Sequence, residues 1–157
     1  MKKILFGILV LLTIIVIVMI IGWSNPQFQY GNSITIERAP VACYNILSDT
    51  TQIRKWMPGF RHQRLLKGEH QKPGAEYMLV IEDGEVMTMY QRVTEWNAPE
   101  KMGYVLTNDV LTSTYSYSLR GDFTQTVVST SYVVEGNNVF MKAILFFSKS
   151  LLAESRS

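Results

Sequence analysis

The side chains able to do acid/base, nucleophilic or metal chemistry are few in this sequence, and their spacing assembles no familiar reaction centre. His62 and His70 stand eight residues apart, which along a strand is roughly 26 Å, too far for one metal ion to bridge. Cys43 is the single cysteine. It excludes an intrachain disulfide and a multi-cysteine metal site, and with no histidine near it in sequence it reads as a small buried hydrophobe. Glu82, Asp83 and Glu85 crowd a turn at Asp83-Gly84, where solvation accounts for them, whereas paired acid/base work needs carboxylates converging in a cleft. Arg120-Gly121-Asp122 spells an adhesion tripeptide, but Gly-Asp at a strand junction is ordinary turn chemistry. Neither a glycine-rich phosphate loop nor a nucleophile elbow is present. No catalytic residue, metal ligand or cofactor is therefore assigned.

Hydroxyl and thioether groups are more plentiful, with eight tyrosines and eight methionines. Many fall at alternate positions of segments separated by turn signals at Pro73-Gly74, Asp83-Gly84, Asn97-Ala98-Pro99, Arg120-Gly121-Asp122 and Gly136-Asn137-Asn138, the pattern of half-buried strands. Six strands are expected, over 61–68, 75–82, 85–96, 101–110, 112–119 and 123–135. A seventh, Ser33 to Arg38, comes earlier and alternates Ile34 and Ile36 with polar residues. The short loops make most neighbours antiparallel hairpins. The more apolar alternate positions, taken as inward, are Tyr77, Leu79 and Ile81; Met87, Met89 and Val93; Met102, Tyr104 and Leu106; Tyr115, Tyr117 and Leu119. Such a face suits an adaptable pocket with a few hydrogen-bonding hydroxyls, and it equally suits plain core packing.

A sheet of this size needs an apolar element across one face. Val139 to Ala153 provides a candidate: Phe140, Ile144, Phe147 and Leu151 share one helical stripe, with Lys142 and Lys149 opposite. Between the first strand and the rest, Pro40 suits the first turn of a short helix. Asp49 with Gln52 has capping-box spacing and would open a second helix carrying Ile53 and Trp56, which Pro58-Gly59 ends. The residues expected to line a cavity under the last helix are Trp56, Tyr77, Leu79, Met87, Met89, Tyr104, Tyr115, Tyr117, Phe140, Ile144 and Phe147.

Ile4 to Gly22 carries no charge and Thr13 as its one polar side chain. At about 1.5 Å per residue it spans roughly 28 Å, close to a bilayer core. The following Ile-Ile-Gly-Trp-Ser-Asn-Pro is a poor cleavage site, so the run reads as an uncleaved anchor. Lys2 and Lys3 precede it and no Lys or Arg follows until Arg38. This puts the N-terminus in the cytoplasm and the domain outside it, in the periplasm if the cell is a bacterium with two membranes. Trp23, Phe28 and Tyr30 suit the interfacial belt. The layout is then an anchor over 1–23, a Pro/Gly/Asn-bearing linker over 24–32 and one domain over 33–157. Lys2 and Lys3 also account for the whole basic excess of 15 Lys and Arg over 13 Asp and Glu. The domain is neutral, which argues against nucleic acid as a partner. Basic residues from Arg54 to Lys72 form a local cluster, opposed by Glu69, that suits anionic head groups or plain solvation.

The order of elements, with Ile36-x-x-Ala39-Pro40, Ile46-Leu47-Ser48-Asp49 and Ile53-x-x-Trp56-x-Pro58, resembles the START, polyketide cyclase and pollen-allergen superfamily, often called SRPBCC. The resemblance covers about residues 33 to 153 and rests on fold markers. It implies an α+β helix-grip fold, a curved seven-stranded antiparallel sheet around a C-terminal helix, here preceded by a single transmembrane helix. It also implies a cavity for an apolar small molecule or lipid; the last helix is shorter than the family's usual one, a departure that fits either a more open cavity or a shortened version of the chain. The expected function is a membrane-anchored binding protein for such a molecule. A cyclase- or dehydratase-like enzyme using a tyrosine and a carboxylate, and an envelope interaction protein with a filled core, are the alternatives.

Overall fold

Turn chemistry sets the sheet. Gly84 takes a φ of +80° between Asp83 and Glu85, a conformation open to glycine at little cost, and the strands on either side pair without a break from Glu76↔Arg92 to Asp83↔Glu85. The computed structural model describes residues 2–23 and 27–154, and side chains as far as residue 148. Its elements are α1 (Lys2–Trp23), β1 (Gln27–Ile36), α2 (Pro40–Ser48), α3 (Ile53–Trp56), β2 (Phe60–Lys67), β3 (Glu76–Asp83), β4 (Glu85–Asn97), β5 (Lys101–Thr107), β6 (Leu111–Gly121), β7 (Thr126–Gly136) and α4 (Val139–Glu154). The strands form one seven-stranded antiparallel sheet in the order β1-β7-β6-β5-β4-β3-β2. The two short helices therefore carry the chain from one edge strand to the other.

The chain divides into two compact units. The sheet unit comprises Gln29–Asn108 and Ser113–Val133 and holds two buried clusters. Ile53, Phe60, Ala75, Tyr77, Leu79, Val93 and Leu106 form one; Cys43, Met102, Leu119 and Val128 form the other. Trp96 and Tyr104 pack against both. Trp96 reaches this inner face through an irregularity. Val93 pairs with Tyr104, but the next pairs are Glu95↔Gly103 and Trp96↔Met102, so Thr94 is an extra residue. The bulge shifts the alternation by one and turns Trp96 inward beside Met102. Gly103 makes room for it, since a Cβ there would lie 2.7 Å from Thr94 Oγ1.

The helical unit comprises Met1–Phe28, Asp109–Thr112 and Val134–Ser157. Within it α1 packs on α4. Gly22 is buried, with the Val139 side chain where a Cβ would stand, and Ala143 is buried on α4. Asn138 caps α4 by accepting a hydrogen bond from Met141 N at 2.8 Å. Along α1 the large side chains from Ile4 to Ile17 are exposed, and the Thr13 hydroxyl donates to the Leu9 carbonyl at 2.9 Å. This helix is long and apolar enough to cross a membrane.

Three local expectations change. The linker is strand from Gln27 onward, because Phe28 and Tyr30 continue the alternation of Ile34 and Ile36; Tyr30 packs on Tyr132 of β7 with centroids 5.2 Å apart. Residues 24–26, also assigned to the linker, lie outside the described residues. Asp49 does not open α3. It closes α2, and its carboxylate accepts from the Thr51 amide and hydroxyl, each at 2.8 Å, which hold its pKa below the ordinary value. β7 starts at Thr126 because Asp122 makes the same kind of turn, accepting from the Thr124 hydroxyl and amide and from the Gln125 amide at 2.7, 2.8 and 3.1 Å.

Gly59, with φ +77°, enters β2 so closely that a Cβ would sit 2.7 Å from the Glu82 carbonyl oxygen. Gly59→Ala is expected to lower stability by about 2–3 kcal/mol, combining left-handed strain with a backbone clash. Gly84→Ala, where the space is open, should lose only about 1 kcal/mol. Urea unfolding of the full chain in detergent, followed by near-ultraviolet circular dichroism, measures both.

Candidate functional site

A cavity of about 280 Å³ lies within the sheet unit, between β2–β6 and the residues of the α2–α3 segment. One side of it is an aromatic ladder. Tyr44 meets Trp96 edge to face at 6.1 Å, Trp96 meets Tyr104 at 6.0 Å, and Tyr104 meets Tyr117 at 6.3 Å, the arrangement aromatic quadrupoles favour. Trp96 Nε1 donates to the Tyr44 hydroxyl at 3.1 Å, tying α2 to the sheet. Tyr104 donates to Met102 Sδ at 3.6 Å, a weak acceptor.

The polar side centres on Tyr77, itself 4% exposed. Its hydroxyl accepts from the Gln71 amide at 3.0 Å and pairs with His70 Nδ1 at 3.0 Å. Gln71 holds a left-handed φ of +57°, strained for a non-glycine residue, and its side-chain amide reaches the Ser48 carbonyl at 3.4 Å. Gln63 donates to Gln91 at 2.9 Å across β2, β3 and β4. Among the described residues the lining contains no Asp, Glu, Lys or Arg. Burial first, and then the neighbouring tyrosines, raise the pKa of Tyr104 and of Tyr117 above the ordinary phenol value, so both keep their protons at neutral pH.

Of the residues singled out from the sequence, Trp56, Tyr77, Leu79, Tyr104, Tyr115 and Tyr117 lie together in the lining. Met89 faces the same way, opposite Leu79, but packs into the core. Met87 is exposed near the β3–β4 hairpin, where Asn108 Nδ2 donates to its sulfur at 3.4 Å. Phe140, Ile144 and Phe147 belong to α4 in the helical unit and are exposed; the described lining residues belong to the sheet unit. Sequence reasoning missed Gln63, His70, Gln71, Gln91 and Trp96. Gln91 stands in the same alternate series as Met89 and Val93, so its parity was a usable signal. Strand spacing would set His70 far from His62, yet β2 ends at Lys67 and Gly68, φ +80°, turns the chain.

No family model and no curated protein matches this chain in sequence. Solved structures do match in fold. Ara h 8.0201 aligns with a TM-score of 0.62 at 12% identity over 80% of this chain and 99% of its own. A START superfamily protein from Mycobacterium smegmatis gives 0.58 at 14% over 80% and 92%. The di-domain aromatase/cyclase BexL gives 0.59 at 16% over 85% of this chain, which spans 48% of that longer one. The likeness is one of architecture: the chain has the α+β helix-grip fold shared by START-like, polyketide-cyclase and pollen-allergen-like structures.

The raised pKa of Tyr104 has a defined sign. Above about pH 10 the unfolded chain gives up this proton while the folded chain retains it. The stabilisation is intact below pH 10 and is lost as pH rises toward the folded-state value, at up to about 1.4 kcal/mol per pH unit for this group. Urea unfolding at pH 9 and pH 11 should show the loss, and Tyr104→Phe should reduce it.

Proposed function

We propose that the chain is a membrane-anchored binding protein that holds a small hydrophobic molecule in the cavity of its sheet unit. α1 serves as a single-pass anchor, with the N-terminus in the cytoplasm and the sheet unit on the extracytoplasmic side. The observation that carries the reading is the cavity itself, a space of about 280 Å³ lined by aromatic, aliphatic and uncharged polar side chains. That volume lies just below the roughly 300–1,000 Å³ typical of ligand pockets. It favours a molecule of one or two rings over a two-chain lipid. The length of α1, the lysines before it and the absence of Lys or Arg from residue 4 to residue 37 support the anchor and its direction.

Native mass spectrometry of the full chain released from lipid nanodiscs tests the binding reading. The wild type is expected to carry a discrete small-molecule adduct, and Gln91→Trp, which fills the cavity, is expected to lose it. A wild-type chain that stays free of adducts after exposure to a cell extract would point instead to an interaction protein. Labelling of a cysteine placed at Ser33, in a Cys43→Ser background, by a membrane-impermeant maleimide on intact cells tests the direction; protection from the reagent would reverse it.

A second reading, an enzyme on the same fold, draws on the His70–Tyr77 pair and on the aromatase/cyclase name of BexL. With no carboxylate among the described lining residues, acid/base work would fall to His70. On that reading His70→Gln would accumulate an adduct of different mass from the wild type, whereas a binding protein would carry the same mass in both.

A further inference from the structure

We propose that the cavity selects an uncharged ligand bearing an oxygen acceptor, a carbonyl or ether, which the hydroxyls of Tyr104 and Tyr117 engage. The inference rests on the binding reading above and names the chemistry that site would take. It follows from asking which polar groups of the lining are already used. Tyr77 accepts from the Gln71 amide and pairs with His70. Trp96 Nε1 donates to the Tyr44 hydroxyl, and Gln63 Nε2 donates to Gln91 Oε1. Tyr104 has only the Met102 thioether at 3.6 Å, and the Tyr117 hydroxyl meets no protein partner among the described residues. Hydrogen-bonding capacity is thus left over on neighbouring strands, β5 and β6, along one aromatic wall.

A phenol hydroxyl can donate and accept; the Tyr117 proton meets no acceptor among the described residues and the Tyr104 proton only a thioether, so the demand left unmet is for an acceptor. An acceptor on the ligand meets it. A carboxylate or phosphate would enter a low-dielectric space with no cation in the described lining, and an ammonium would find no carboxylate there; either would lose its hydration without a counter-charge. The edge-to-face ladder of Trp96, Tyr104 and Tyr117 adds aromatic surfaces suited to contact with a ring. A neutral ring compound with one acceptor oxygen fits size, charge and donor set together.

The test uses the full chain in nanodiscs and three probes of similar size: α-tetralone, a neutral ketone; tetralin, the same rings without the carbonyl; and tetralin carboxylate. Saturation-transfer NMR titration, with empty nanodiscs as the blank, reads the affinities. Wild-type protein is expected to prefer the ketone to tetralin and to the carboxylate by about tenfold, the upper end of one neutral hydrogen bond. In Tyr104→Phe/Tyr117→Phe the preference over tetralin should vanish while tetralin binding persists, which shows that the cavity still forms. Equal uptake of ketone and tetralin by the wild type, a preference that survives the double substitution, or tightest binding of the carboxylate each overturns the inference while leaving the binding reading in place. A wild-type chain that takes up none of the three and carries no adduct overturns both.

Discussion

The position of Trp96 is the constraint on which the sheet unit depends. Strict alternation from Val93 would turn this side chain outward, and one extra residue at Thr94 turns it in. Once there, the indole does three things. It donates to Tyr44 and so pins α2, it presents an edge contact to Tyr104, and with Tyr104 it packs against both buried clusters. Trp96 and Tyr104 also line the cavity, together with residues of the first cluster and Met102 of the second.

Much of this was legible in the sequence, for a physical reason. Strand alternation is a two-residue period, so a reader who finds Tyr77 and Leu79 on one face also finds Tyr104, Tyr115 and Tyr117, and turn residues mark where each strand stops. What failed depended on departures from the period. Trp96 was invisible because a bulge leaves no mark stronger than a glycine on the neighbouring strand, Gly103. Gln63 and Gln91 escape a reading that picks inward positions by apolarity, although one hydrogen bond from Gln63 to Gln91 lets both face inward. α4 shows a different limit. Its 3.6-residue period establishes a helix and a stripe but not what that stripe meets, and the packing of α1 on α4, with Gly22 against Val139, is a tertiary choice that no local pattern encodes.

The polar chemistry of the lining is arranged as pairs rather than as a charged centre. Gln63 with Gln91, Tyr77 with His70 and Gln71, and Trp96 with Tyr44 each consume donors and acceptors locally. Such neutral pairs hold a hollow open without the desolvation cost of buried ions. They also leave the described lining without a formal charge, so on the binding reading discrimination would fall on shape and on the few hydroxyls not already engaged.

Tyr77 ties the border of the cavity to the core. Its ring belongs to the core while its hydroxyl holds the backbone of Gln71 in a left-handed turn, and both Gln71 and His70 border the cavity. A substitution that repacked the core beneath Tyr77 would therefore reach that border through one hydroxyl, with Gln71 and His70 themselves unchanged.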